Sequence, residues 1–140
     1  MLGKVEIKIN SRVTLIGAPE PEITDEVNEG YIKYTDAGEV ILVSYKSATE
    51  GGTVTTDVHL SEDGIRLVRR GAIDSELVFR EGESYTTVYK LPPYAFDMNV
   101  MTKKLSVSVT PLGGEIRISY GLTVGGAEKL CEMHITVRRI

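Results

Sequence analysis

"KVEIKINSRVTLI", Lys4–Ile16, places Val5, Ile7, Ile9, Val13 and Leu15 on odd positions and mostly polar residues on even ones. A period of two describes a strand with one buried face and one wet face. The same alternation recurs along the chain. Val54, Thr56, Val58 and Leu60 hold even positions, and Ile65 and Leu67 resume on odd ones. Leu77 and Phe79 follow in a shorter stretch, and Tyr85–Leu91 in another. Tyr94, Phe96, Met98 and Val100 are even, whereas Leu105, Val107 and Val109 are odd. That slip of phase predicts a bulge or bend near Thr102–Lys104. Ile116, Ile118, Tyr120 and Leu122, then Cys131, Met133, Ile135 and Val137, complete the series.

Between these stretches lie "TDAGE", "SEDG", "EGES", "TPLGGE" and "TVGGAE", which carry the Gly, Asp and Pro chemistry of tight turns. The Pro92-Pro93 pair is expected to end a strand, because neither residue can donate to a ladder. The acidic segment Gly17–Gly30, "GAPEPEITDEVNEG", is expected to be irregular, either a solvated loop or a lid over one mouth. No segment of helical length shows a 3.6-residue pattern. The expected fold is all-β, roughly eight to ten antiparallel strands joined by short turns. Such a meander closes on itself or leaves two exposed edges, so an up-and-down barrel is the simplest solution and a two-sheet sandwich the alternative.

The 140 residues suit a single domain spanning 1–140 with a core of its own. Charged residues are 26% of the chain and the net charge is −4, with no basic face to attract nucleic acid or an anionic membrane. No apolar run reaches the length of a bilayer span, and the N-terminus lacks the apolar core of a leader. One cysteine, Cys131, cannot form an internal disulfide, so a cytoplasmic location is expected.

Three motifs, taken in order, resemble a known family. They are G-x-x-L-x-R-x-G (Gly64, Leu67, Arg69, Gly71), T-x-Y before a Pro-Tyr turn (Thr87, Tyr89, Pro93, Tyr94), and G-x-I-x-I-x-Y (Gly114, Ile116, Ile118, Tyr120). With the closing strand that carries Met133 and Ile135, they resemble the YwiB-like family of small bacterial proteins of uncharacterised function. The resemblance implies a calycin (lipocalin-like) β-barrel and implies no reaction, and fold alone does not settle function.

Arg69 stands where the Ile65–Leu67 row calls for an aliphatic residue. A guanidinium aimed inward binds a carboxylate or phosphate, or closes one barrel end by pairing with an acid or with turn carbonyls. The pairing reading is the default, because an unpaired buried charge is costly. It predicts that Arg69→Met destabilises the fold. Tyr85, Tyr89, Tyr94 and Tyr120 are the other candidates for a ligand site at a barrel mouth, their rings supplying area and their hydroxyls orientation. The bland alternative is that each ring fills core and its hydroxyl reaches a loop.

Asp57/His59 and Glu132/His134 are i, i+2 pairs, but they lie opposite the apolar rows, and no metal site is expected. No nucleophile elbow, P-loop or zinc-protease motif is present, so no catalytic residue and no cofactor are assigned. The leading functional reading is a binding module for a small, mostly apolar or amphipathic ligand. The alternatives are a filled-core structural protein acting through its surface or as a homodimer, and, ranked last, an enzyme.

Overall fold

The computed structural model describes residues 1–91 and 93–140. Its elements are β1 (Leu2–Leu15), β2 (Glu22–Tyr34), β3 (Val40–Thr49), β4 (Gly52–Ser61) and β5 (Gly64–Gly71), followed by β6 (Ser75–Phe79), β7 (Ser84–Leu91), β8 (Tyr94–Thr110), β9 (Gly113–Val124) and β10 (Ala127–Arg139). All ten form one antiparallel sheet in the order β6-β5-β4-β3-β2-β1-β10-β9-β8-β7. The expected barrel is therefore the observed one, nearly closed. The end of β7 is consistent with the Pro-Pro expectation, although Pro92 itself lies outside the described residues.

The place where the tube fails to close is unusual. β1 and β10 are fully laddered, from Val5 opposite Arg139 to Leu15 opposite Lys129. The seam lies instead between β6 and β7, two strands joined by a single turn. Asp74 and Lys90 form one isolated bridge there, exchanging both backbone hydrogen bonds at 3.1 and 3.0 Å. Below it, the Arg80–Glu83 turn bonds instead to Thr102 on β8. The bulge expected from the phase slip is present, as a register shift between Thr102 and Lys104.

The core follows the alternation. Val5, Ile7, Ile32, Val43, Val58, Leu67, Phe79, Val100 and Ile116 are fully buried, filling the interior as in a packed rather than hollow barrel. Phe79 spans it, its ring centroid 4.8 Å from that of Tyr120. Arg139 lies half-buried at the end bearing the β2–β3, β4–β5, β6–β7 and β8–β9 turns. Its guanidinium donates to the Pro111 carbonyl at 2.8 Å and lies 5.8 Å over the Tyr34 ring. Gly3 leaves it room, since a Cβ there would stand 2.6 Å from the guanidinium carbon. The basic C-terminal residues thus serve this end, with Arg138 on Glu6 at 3.2 Å, and not the acidic segment.

That segment corrects the sequence reading. Only Ile16–Pro21 is irregular, and Glu22–Gly30 is strand, paired with β1 from Glu22 opposite Val13 onward. Its apolar residues mislead because they face out, with Ile23 at 59% and Val27 at 61% exposure. β3 joins β2 only from Gly30 opposite Tyr45, so the first half of β2 is held by β1 alone and has one free edge. At the junction, a Cβ on Gly30 would land on the Ser44 carbonyl oxygen. Gly30→Ala is therefore expected to cost about 1–3 kcal/mol by overpacking, read as a lower urea midpoint. An unchanged midpoint would show that the two strands can part there freely.

Candidate functional site

Directly paired residues on neighbouring strands share a face, which allows one interior row to be traced around the end bearing the β3–β4 and β5–β6 turns. Tyr45 pairs with Thr56, Thr56 with Arg69, and Arg69 with Ser75. One step past the Asp74–Lys90 bridge comes Tyr89, which pairs with Phe96. Tyr45, Thr56 and Ser75 are all buried, so this face is the interior. Arg69 is half-buried among them. The break in the aliphatic pattern is thus an arginine aimed into the tube.

Its electrostatic reach is visible in two phenols. Burial pushes the Tyr45 phenol above its ordinary value. The Arg69 charge pulls it back, as do hydrogen bonding to Thr56 and to Arg69 itself, while Glu26 adds to the rise. Burial raises Tyr120 further, with the Cys131 thiol adding and Arg69 again opposing. One guanidinium therefore acts on residues from two opposite parts of the wall. Two hydroxyls nearby in the pairing pattern, Ser75 Oγ and Thr102 Oγ1, are buried with no hydrogen-bond partner; Ser75 pairs with Arg69 and Thr102 with Tyr120. Such groups ordinarily find a partner.

Among the described residues Arg69 makes no ion pair. The acidic partner expected from sequence is absent, because the inward positions paired with it are Thr56 and Ser75. The acids on neighbouring strands face out. Asp57 holds Arg70 at 2.6 Å and Glu76 holds Arg66 at 3.0 Å, and that Arg66 hydrogen bond keeps the Glu76 carboxyl below the usual range.

The four tyrosines separate. Tyr120 is buried, its ring against Phe79. Tyr89 is half-buried against the core on the row of Arg69. Tyr85 is half-buried and its hydroxyl leans across the seam toward Glu76 Oε1 at 3.5 Å. Tyr94 is 63% exposed on the rim, 6.3 Å from Phe96, which is 40% exposed. Phe96 thus departs from its expected place in the core. Its phase is inward, but it stands beyond the wall that would cover it. Tyr45 belongs to this interior row without being a sequence candidate, and its odd phase with Val43 is the signal that places it there.

The histidine pairs face out as expected. His134 meets Glu115 at 2.9 Å, which lowers the Glu115 carboxyl. Among the described residues no cluster of three or more His, Cys, Asp and Glu is placed to hold a metal. Cys131 is buried, and burial raises its thiol above the ordinary value. A hollow of about 650 Å³ on the outer wall is lined by Arg12, Lys104, Arg117, Glu132 and His134; its charges are mixed and exposed. Among the described residues no helix is long and apolar enough to cross a membrane.

A family described as "Domain of unknown function (DUF1934)" matches residues 7–137. The chain belongs to that family. Within DUF1934, a similar protein is the "Uncharacterized beta-barrel protein YwiB" of Bacillus subtilis (strain 168), 28% identical over 121 residues, 81% of this chain and 85% of that one. The crystal structure of YwiB from Bacillus subtilis superposes with a TM-score of 0.88 at 23% identity, covering 99% of this chain and 93% of that one. The likeness fixes the DUF1934 barrel as the fold, and neither name carries an activity.

Proposed function

We propose that the protein binds a small amphipathic molecule at the barrel end bearing the β3–β4 and β5–β6 turns, its acidic head on Arg69 and its apolar part against Tyr89 and Phe96. The observation that carries this reading is the inward guanidinium without a carboxylate partner, paired with Ser75, whose buried hydroxyl also lacks a partner. A planar fork in a partly desolvated setting matches a carboxylate or phosphate. The exposed Phe96 and Tyr94 give the apolar part a surface continuous with the core. The lower interior is filled by aliphatic side chains, which confines the ligand to the rim and upper interior. No catalytic role is assigned, because nothing beside Arg69 is placed as a nucleophile or general base.

Decanoate and decanol serve as matched probes, followed by melting temperature and by tyrosine fluorescence, the chain having no tryptophan. Decanoate is expected to bind more tightly than decanol by about tenfold or more, the worth of a charge-assisted hydrogen bond. Arg69→Met is expected to remove that difference while leaving stability equal or higher by about 1 kcal/mol, since no ion pair is lost. This reverses the destabilisation expected from sequence. Equal affinity for the two probes, or decanoate binding that survives the substitution, overturns the proposal.

A further inference from the structure

β8 is 17 residues long, and its two neighbours do not match it. β9 follows it to Thr110, whereas β7 pairs only as far as Met101, and the Arg80–Glu83 turn stops at Thr102. From Lys104 to Thr110 the second edge of β8 has no hydrogen-bond partner among the described residues. Every other residue there turns a free N–H and C=O away from β9. This edge borders a window in the wall of about 550 Å³. Leu105, Val107 and Val109 face across it toward Val40 and Leu60, and Val107 is 44% exposed although it pairs with the fully buried Ile116. The charged residues around the window are Glu39, Glu62, Asp63 and Glu81, with no lysine or arginine among its lining.

We infer that this edge of β8 is a docking site for an extended segment of a partner polypeptide in which apolar and basic side chains alternate. Strand addition supplies main-chain hydrogen bonds, and alternate side chains supply specificity. Here one set of side chains enters beside Leu105, Val107 and Val109, and the other meets the acidic rim. The free edge of β2 makes the contrast. Glu22, Asp25, Glu26 and Glu29 stud it and no facing wall accompanies it, which is how exposed edges are kept from pairing. Past Lys104 the β8 edge carries no charged residue through Thr110. A second copy of this chain is a poor occupant, since it would bring an equally acidic rim and a second net charge of −4.

The test uses a labelled heptapeptide alternating lysine and valine, its glutamate–valine counterpart, and a version with a central proline. The lysine–valine peptide is expected to bind and to slow amide exchange across Lys104–Thr110, while the other two bind weaker by about tenfold or more. Val107→Lys, which puts a charge inside the window, is expected to weaken binding by at least about tenfold. Glu62→Lys with Asp63→Lys is expected to weaken it about fivefold, and as exposed turn residues these leave the fold intact if Val107→Lys does not. Three results overturn the inference. One is binding without protection of β8. Another is equal binding of the proline peptide. The last is sedimentation showing a dimer in which β8 is protected without any peptide.

Discussion

Phe79→Ala is expected to lower the unfolding free energy by about 3–5 kcal/mol, the range for truncating a fully buried aromatic ring. Phe79 has no exposed surface and ends β6, a strand of five residues laddered only to β5. Its contact with Tyr120 ties that short strand to β9 across the interior. The void left behind would sit beside the seam, where no ladder between β6 and β7 can draw the wall inward. Phe96→Ala, on the exposed rim, is the internal control and is expected to cost about 1 kcal/mol or less. Chemical denaturation measures both. Similar losses for the two would mean that the interior is loosely filled and that the packing account is wrong.

Alkali is the second strong perturbant. Tyr120 and Tyr45 titrate near 10.0 when unfolded, and burial holds both higher in the folded state. Above that pH the unfolded chain has released protons that the folded chain keeps, so stability falls as pH rises. Below the ordinary tyrosine value neither phenol contributes to the pH dependence. Each pH unit past it costs about 1.4 kcal/mol per phenol, until the folded phenol itself titrates. Cys131, raised from 9.0 by burial, starts the decline slightly earlier. Denaturation midpoints taken from about pH 8 to about pH 12 should stay level and then drop. Tyr120→Phe should shallow the drop by about one proton's worth. An unaltered slope in that variant would exclude Tyr120 as a source.

Alternation was a sufficient guide wherever a strand has neighbours on both sides for its whole length. Val5, Ile7, Leu67, Ile116 and Ile135 are buried where their phase puts them, and the slip in phase marked the bulge at Thr102–Lys104. It misled where a strand outruns its neighbours. Phe96 and Val107 have inward phase but stay part-exposed, Val107 on an edge that no strand pairs, and Ile23 and Val27 lie on the outer face of a strand written in acids. A period reports which residues share a side, and burial also needs something to be buried against. Arg69 stood out by breaking its row. Its surroundings did not, because the registers that set Thr56 and Ser75 opposite it are fixed by the turns between strands and not by the period within one.

The seam has a further meaning for assembly. The one junction left unzipped is the one between adjacent hairpin arms, which any chain forms soonest, while the junction that seals the cylinder joins Val5 to Arg139 and Leu15 to Lys129. As the polypeptide emerges from a ribosome, β1 must wait, edge bare, for almost the entire remainder to be made. Closure brings together the first and last strands of the barrel across the eight between them, and carries the entropy of that long loop. Until then the growing sheet is a ribbon open at both margins, and the glutamates and aspartate of β2 lie beside the margin that waits longest.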